Sequence, residues 1–438
     1  MKILVVGCGA REHALVWKLA QHVDVELYNY GSTTNPGIKQ LVKEIGLGKA
    51  TDITAIVSWA KQRVIDIAWI GPEDPLAVGI ADVLQAEGIF CIGPTQVLAQ
   101  LESSKGFARA LLDEYHINAS PLFKTFFSVA GIEEYINNIL NGQCVVKPDG
   151  LTGGKGVKIM GEQLQTVNDA VEYCKELFSK GDKQVVLEEK LIGQEFSLMS
   201  LSDGTHVIHL PVVQDHKRLG VDDTGPNTGG MGSYSMSNHR LPFITEQDVQ
   251  QAKTINEQTL QAIQDKYKQA YKGVLYGGFM AVKNGVKLIE YNVRFGDPEI
   301  MNLMMILNTD LVKITEAIMN GTLNKINVSF QAKASVCKYL VPQGYPEKPC
   351  KDQLINVTEV DTDKVQVFYG SVDKTAQGLI EKGSRTVALV GAADNLVTAE
   401  QMVEQEIKKI TGPLIHRSDI GTAKLINQRV NMMQRLRN

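Results

Sequence analysis

Short apolar runs alternate with stretches of helical period along the first hundred residues. Lys2 to Val6, Val25–Tyr28, Ile65–Ile70 and Ile89–Ile92 read as strands, whereas 10–21, 52–62 and 75–87 carry apolar residues at helical spacing. Strands alternating with helices predict a doubly wound parallel sheet. Beyond Gly93-Pro94-Thr95 the pattern changes. Strands at Cys144 to Lys147 and Val157 to Met160 flank a glycine-rich segment, a helix is expected over 163–178, and Val185–Leu191 is another strand. A helical stretch at 246–270 leads into a hairpin, Val274–Lys283 and Val286–Arg294. After Gly321, strand patterns at Ala334–Val341, Leu354–Val357, Val365–Tyr369 and Thr386–Val390 precede helices at 394–409 and 419–436. That order marks a small α+β unit, and its Met- and Arg-rich final helix reads as packing.

The second hairpin strand carries the most informative pattern, GVKLIEYNVRFGDPE over Gly285–Glu299. In an extended chain alternate side chains share a face. Glu290, Asn292 and Arg294 then point one way, and Ile289, Tyr291, Val293 and Phe295 the other. The polar face offers two oxygen ligands suited to Mg²⁺ and one guanidinium fork suited to phosphate. On this strand alone, a solvated edge remains an equal reading.

Composition narrows the class. Apolar residues make up 44% of the 438 and charged residues 21%, as in ordinary globular proteins of two to four domains. A net charge of −4 and a pI near 6.1 leave no electrostatic footprint for nucleic acid or an anionic membrane. Six scattered cysteines without a C-x-x-C pair predict free thiols in a reducing compartment. No apolar run is long enough to span a bilayer. A cytoplasmic location is expected.

Several segments carry candidate chemistry. Gly7-Cys8-Gly9-Ala10-Arg11-Glu12 follows the first strand, where glycines let a backbone approach phosphate at a helix N-terminus. Glu12 stands where a dinucleotide fingerprint needs its third glycine, which disfavours NAD and leaves a sugar-phosphate site or a structural turn open. Glu73, after the strand ending at Ile70, either receives a substrate amine or hydroxyl or simply favours the next helix N-terminus. Lys105 opens a helix against the dipole, a hint that it serves phosphate. PDGLTGGKG at 148–156 fails as a Walker loop, because Lys155 is followed by Gly156 and a strand. It remains an amide-rich hairpin flanked by Lys147 and Lys155, able to nest an anion. Val185–Leu191 runs from apolar residues into Glu188 and Glu189, an edge suited to adenine. Gln214 to Tyr234, QDHKRLGVDDTGPNTGGMGSY, reads as a long polar loop, and such loops are usually functional or disordered.

Taken together, the lysine-flanked glycine hairpin, the Glu-Glu-Lys-Leu strand and Glu-x-Asn-x-Arg resemble the ATP-grasp superfamily. GCGAREHA at the start, QLESSK at 100–105, KPDGLTGGKGV, QDHKR, DTGPNTGGMG and RFGDPE are similar to the phosphoribosylamine–glycine ligase family, in order along nearly the whole chain. The resemblance implies an N-terminal Rossmann-like substrate domain (1–101), an ATP-grasp domain (102–328) with a β-hairpin lid subdomain at about 122–191, and a C-terminal domain (329–438). It implies an ATP-dependent carbon–nitrogen ligase that joins glycine to 5-phosphoribosylamine through glycyl phosphate. Glu290 and Asn292 would hold Mg²⁺ or Mn²⁺, and Arg294 and Lys155 would be catalytic. Lys105, Lys147, Gly153, Gly154 and Gly156 would meet the phosphates of ATP, Glu188, Glu189 and Leu191 adenine, and Glu195 ribose. Gly9, Arg11, Glu73, Asp215, Lys217, Asp223, Thr224, Asn227, Gly229 and Gly230 would bind the other substrates. Small-molecule substrates, no nucleic acid, no membrane, and a monomer or weak homodimer are implied. The alternatives are another ATP-grasp carboxylate–amine ligase, a formate- or carbonate-using relative, an NAD-dependent dehydrogenase, or a non-catalytic nucleotide-binding protein. The family's Pro-Gly-Asn turn is here replaced by Gly31 to Gly37, so the sugar-phosphate contacts are the least defined.

Overall fold

The computed structural model describes residues 1–151, 153 and 156–438. Five parallel strands form the N-terminal sheet in the order Glu44–Leu47, Glu26–Gly31, Lys2–Val6, Ile67–Ile70, Phe90–Ile92. Leu4, Val5, Val6, Ile67 and Ala68 are fully buried, as continuous apolar strands covered on both faces should be. The strand Glu44–Leu47 has no apolar run to announce it, being a largely exposed edge. The strand order reverses beside Lys2–Val6, opening a crevice at the carboxyl ends of the sheet. Glu12 fills part of that crevice. It accepts the Gly9 amide at 2.7 Å, and a side chain on Gly71 would meet its Cγ and Cδ at 2.5 and 2.6 Å.

A lid unit follows, with strands ordered Phe123–Phe126, Val185–Glu189, Cys144–Pro148, Lys158–Ile159. It has a core of its own, including Phe126, Ile136, Val146, Cys174 and Leu187. The helix over it starts at Val167 rather than 163, because Thr166 and Asp169 form a reciprocal capping box.

The floor of the central domain is an antiparallel sheet ordered Val207–His209, Gln194–Asp203, Lys272–Val282, Gly285–Asn292. The helix Glu246–Tyr267 packs behind it.

The segment 214–235 is not a plain loop. Gln214–Asp215 pairs with Gly232–Ser235, and a small hairpin, Arg218–Gly220 with Thr224–Asn227, stands between them. Gly232–Ser235 in turn pairs with Ala334–Pro342, so the next sheet runs Gln214–Asp215, Gly232–Ser235, Ala334–Pro342, Val387–Ala393, Gln366–Tyr369. The C-terminal strands therefore complete their sheet with residues from the centre of the chain. Leu4, Leu288 and Val336 belong to one continuous core beneath the three sheets.

Candidate active site

The floor strand ends in an irregularity. Opposite it, Gly278 pairs with Glu290 and Phe279 with Leu288, leaving Ile289 as an additional residue. The bulge shifts the phase of the side chains: Val286, Leu288 and Tyr291 are buried, whereas the successive residues Ile289 and Glu290 are both partly exposed. The simple alternation that put Ile289 beside Tyr291 is thus corrected. The bulge also frees the Ile289 carbonyl, which accepts Lys147 Nζ at 3.1 Å and Arg109 Nη2 at 2.9 Å.

Asp149 ties the base of the glycine hairpin to the helix Lys105–Glu114. Its carboxylate accepts the Gly106 amide at 2.9 Å, Gln184 Nε2 at 2.7 Å and the Ser104 hydroxyl. A carboxylate at a helix N-terminus is favoured by orphan amides and the dipole. Lys105 Nζ lies 2.9 Å from the Gly150 carbonyl. Glu188 is fully engaged, with Oε1 2.7 Å from Arg109 Nε and Oε2 2.6 Å from Lys147 Nζ. Burial alone would raise its carboxyl, but these two cations hold it below the usual carboxylate range. Glu188 thereby serves Lys147, which leaves the Glu189–Leu191 edge as the face open to a base. The expected ligands Gly154 and Lys155 lie outside the described residues.

Arg294 sits between two acids. Nη2 is 2.8 Å from Glu102 Oε1 and 3.1 Å from Asn292 Oδ1, Nε donates to Glu73 Oε2 at 3.1 Å, and Nη1 donates to the Phe295 carbonyl. Arg11 approaches the same Glu73 oxygen at 3.8 Å. Residues far apart in sequence thus form one charge chain from the crevice of the N-terminal sheet to the floor strand.

The far wall comes from the 214–232 segment and, unannounced by any motif, from the C-terminal unit. Lys217 Nζ stands 3.4 Å from Glu195 and 4.0 Å from Glu290, and Glu195 foremost pushes its ammonium above its ordinary value. Burial and the neighbouring Glu299 raise the Asp215 carboxyl. Arg385 donates to the carbonyls of Gly229 (through Nη1, at 2.6 Å) and Asp297 (3.1 Å) and pairs with the Asp297 carboxylate at 2.9 Å. From the last helix, Ala423–Arg437, Arg429 pairs with Asp223, and Lys424 pairs with Asp222 at 2.9 Å. The packing role expected of that helix includes holding the hairpin at the cleft.

All these walls enclose a cleft of about 710 Å³. Lining it are Lys105, Lys147, Gly153, Glu188, Glu189, Leu191 and Glu195 on the lid side, and Arg11, Glu73, Glu290, Asn292 and Arg294 on the floor. Asp215, Lys217, Asp223, Asn227 and Gly229 line the far wall. Gly9, Gly156, Thr224 and Gly230 are not among the lining residues. Sequence reasoning missed Glu102, Arg109, Arg385 and Arg429. Glu102 had a signal in the QLESSK motif, and Arg109 one in lying a helical turn from Lys105.

Three models of the phosphoribosylglycinamide synthetase family match in order: the N domain at residues 1–102, the ATP-grasp (A) domain at 103–300 and the C domain at 335–423. The chain belongs to the phosphoribosylglycinamide synthetase family. It is 45% identical over 444 residues to a phosphoribosylamine–glycine ligase of Methanocaldococcus jannaschii, and 44% identical over 436 residues to that of Methanoregula boonei. Both alignments cover 100% of either chain. The crystal structure of a phosphoribosylamine–glycine ligase from Thermotoga maritima superposes with a TM-score of 0.81 at 26% identity, covering 96% of this chain and 100% of that one. A three-domain phosphoribosylglycinamide synthetase architecture, with an N-terminal parallel sheet and a central ATP-grasp domain, accounts for the expected fold class. No described helix is long and apolar enough to cross a membrane.

The ATP-grasp domain is a class that uses ATP and typically a divalent metal. The floor strand fits a hard cation. Glu290 and Asn292 present oxygens from alternate positions, and Lys217, Lys147, Lys105 and Arg294 together overcome burial to keep the Glu290 carboxyl below its ordinary value. No cluster of three or more His, Cys, Asp or Glu able to hold a metal occurs among the described residues. A cation with one or two protein oxygens and the rest from phosphate and water matches Mg²⁺.

Proposed function

We infer that this chain is an ATP-dependent carbon–nitrogen ligase. It joins glycine to 5-phospho-D-ribosylamine, giving glycinamide ribonucleotide, ADP and phosphate, the second step of de novo purine biosynthesis. The observation that carries the reading is the 45% identity with a phosphoribosylamine–glycine ligase over the whole chain. Glycine's carboxylate is a poor electrophile, so its oxygen first attacks the γ-phosphorus, forming glycyl phosphate and releasing ADP. The amine of phosphoribosylamine then attacks the acyl carbon, phosphate leaves, and the amine proton passes to solvent or a cleft carboxylate.

Phosphoryl transfer asks for positioning and charge neutralisation. Lys105 and Lys147 supply cations toward the ATP phosphates, with Glu188 fixing Lys147. Glu189 and Leu191 meet adenine and Glu195 the ribose. Glu290 and Asn292 would hold Mg²⁺ or Mn²⁺, which would supply charge neutralisation at the phosphates. Arg294 stabilises the transferring group, and the hairpin at 150–156, with Lys155, excludes water from a hydrolysable acyl phosphate. Arg11, Glu73, Asp215, Lys217, Asp223, Asn227 and Gly229 surround the two other substrates. Gly9, Thr224 and Gly230 act through backbone shape. The domain divisions at 101/102 and 328/329, a cytoplasmic location and a monomer or weak homodimer complete the reading.

The test is ADP release on adding glycine and freshly made phosphoribosylamine, with formate and bicarbonate as controls. Release that depends on glycine supports the reading. Release driven by formate or bicarbonate, or bound NAD without ATP binding, ends it.

A further inference from the structure

The charge chain at the floor contains one acid to which the ligase reading gives no task. Glu102 lies in the short helix Gln100–Ser103, three residues before Lys105, and is buried. Its two oxygens address two successive residues beyond the end of the floor strand. Oε2 accepts the Val293 amide at 2.7 Å, and Oε1 stands 2.8 Å from Arg294 Nη2. A carboxylate that engages both the backbone and the adjacent guanidinium fixes where the strand ends and how the fork is turned. Glu73 holds only Nε, at 3.1 Å, and is itself shared with Arg11. Asn292 and the Phe295 carbonyl are further acceptors of the guanidinium, at Nη2 and Nη1.

We propose that Glu102 is a positioning residue for the phosphoryl transfer, setting the orientation of Arg294 without touching substrate. The inference rests on the reading of Arg294 given above. Two observations argue that its charge is more than packing. Glu102 is buried with both oxygens engaged, Oε2 by the Val293 amide and Oε1 by ion pairing with Arg294, and the guanidinium opposes the burial that raises its carboxyl to about 7. It also links Arg294 to the helix that follows with Lys105, so that the cation toward the ATP phosphates and the cation toward the transferring group are registered to one another. Small misplacement of such a group is costly in rate.

The test is a double-mutant cycle on the full chain. Glu102→Gln, which keeps the shape and one acceptor but removes the charge, is expected to lower kcat about 10- to 100-fold. KM for ATP and for glycine should change by less than about twofold, because ground-state binding is untouched. Glu102→Asp should recover part of the loss. In Glu102→Gln/Arg294→Ala, kcat should equal that of Arg294→Ala alone, since residues acting as one unit are not additive. A Glu102→Gln enzyme with wild-type kcat, or losses that multiply in the double variant, overturns the proposal. If Glu102→Gln does not fold, Glu102→Asp enters the same cycle with the same criteria. Near-normal turnover in Arg294→Ala would instead sink the Arg294 reading, so the two failures are distinct.

Discussion

Arg218, on the hairpin of the far wall, forms an ion pair with Glu162 of the lid unit, across the mouth of the cleft. Both residues line the cavity. Further lid contacts run through Asp149, Gly150, Glu188 and Lys147. The pair thus joins the lid side of the cleft to its far wall. An exposed pair of this kind contributes ~0.2–1 kcal/mol. Arg218→Glu should therefore lower turnover up to about fivefold by that measure, and Glu162→Arg/Arg218→Glu should restore it. Steady-state rates at low and high salt check both, since screening weakens the native pair.

Arg294→Ala should reduce turnover about 10²–10³-fold, the loss typical of one donor that serves charge developing in the transition state. Single-turnover measurement of ADP formation isolates the effect on chemistry from product release.

Gly71→Ala should destabilise the fold. The added methyl would press on the buried Glu12 side chain, which is fixed by the Gly9 amide and by Arg11 at 2.7 Å. Overpacking of this sort costs about 1–3 kcal/mol, which denaturant melts resolve.

Acid stability should depend on Glu404. Burial would push its carboxyl up, but His416 and Lys338 pull it from 4.5 down to about 2. A depressed carboxyl stabilises the fold fully above its unfolded value and loses that contribution as pH falls through its folded one. Melting temperature should therefore fall between about pH 4.5 and 2, more steeply than in Glu404→Gln.

Local pattern made much of this protein legible. The buried strands of the N-terminal sheet and Lys272–Val282 show as apolar runs, and Gly285–Asn292 shows by apolar residues mixed with charge. What escaped has a physical cause in each instance. Glu44–Leu47 is an exposed edge with no hydrophobic signature. The bulge at Ile289 depends on how the partner strand pairs, which spacing alone does not encode. Thr224–Asn227 pairs through backbone in a polar segment, invisible to any hydrophobic period. Arg385 and Arg429 reach the cleft only because a strand and a helix from the chain's end fold back onto it. The place of Glu290, Asn292, Lys105 and Lys147 on the cleft is legible because polar groups interrupt an otherwise apolar or helical context. Glu102 sat in a motif whose neighbours drew attention away from it.

The strand Gly232–Ser235 finds its partner a hundred residues later, at Ala334–Pro342, and Asp223 finds Arg417 and Arg429 later still. A chain emerging from the ribosome thus makes its nucleotide floor long before the opposite wall has anything to lean on. Domains generally fold in order of synthesis, yet here the hairpin of the far wall is held by the helix Ala423–Arg437. A nascent chain stopped short of Ala423 would carry the floor strand and its lysines without the ion pairs that hold the far-wall hairpin. The far wall of the cleft is, in this molecule, assembled after its floor.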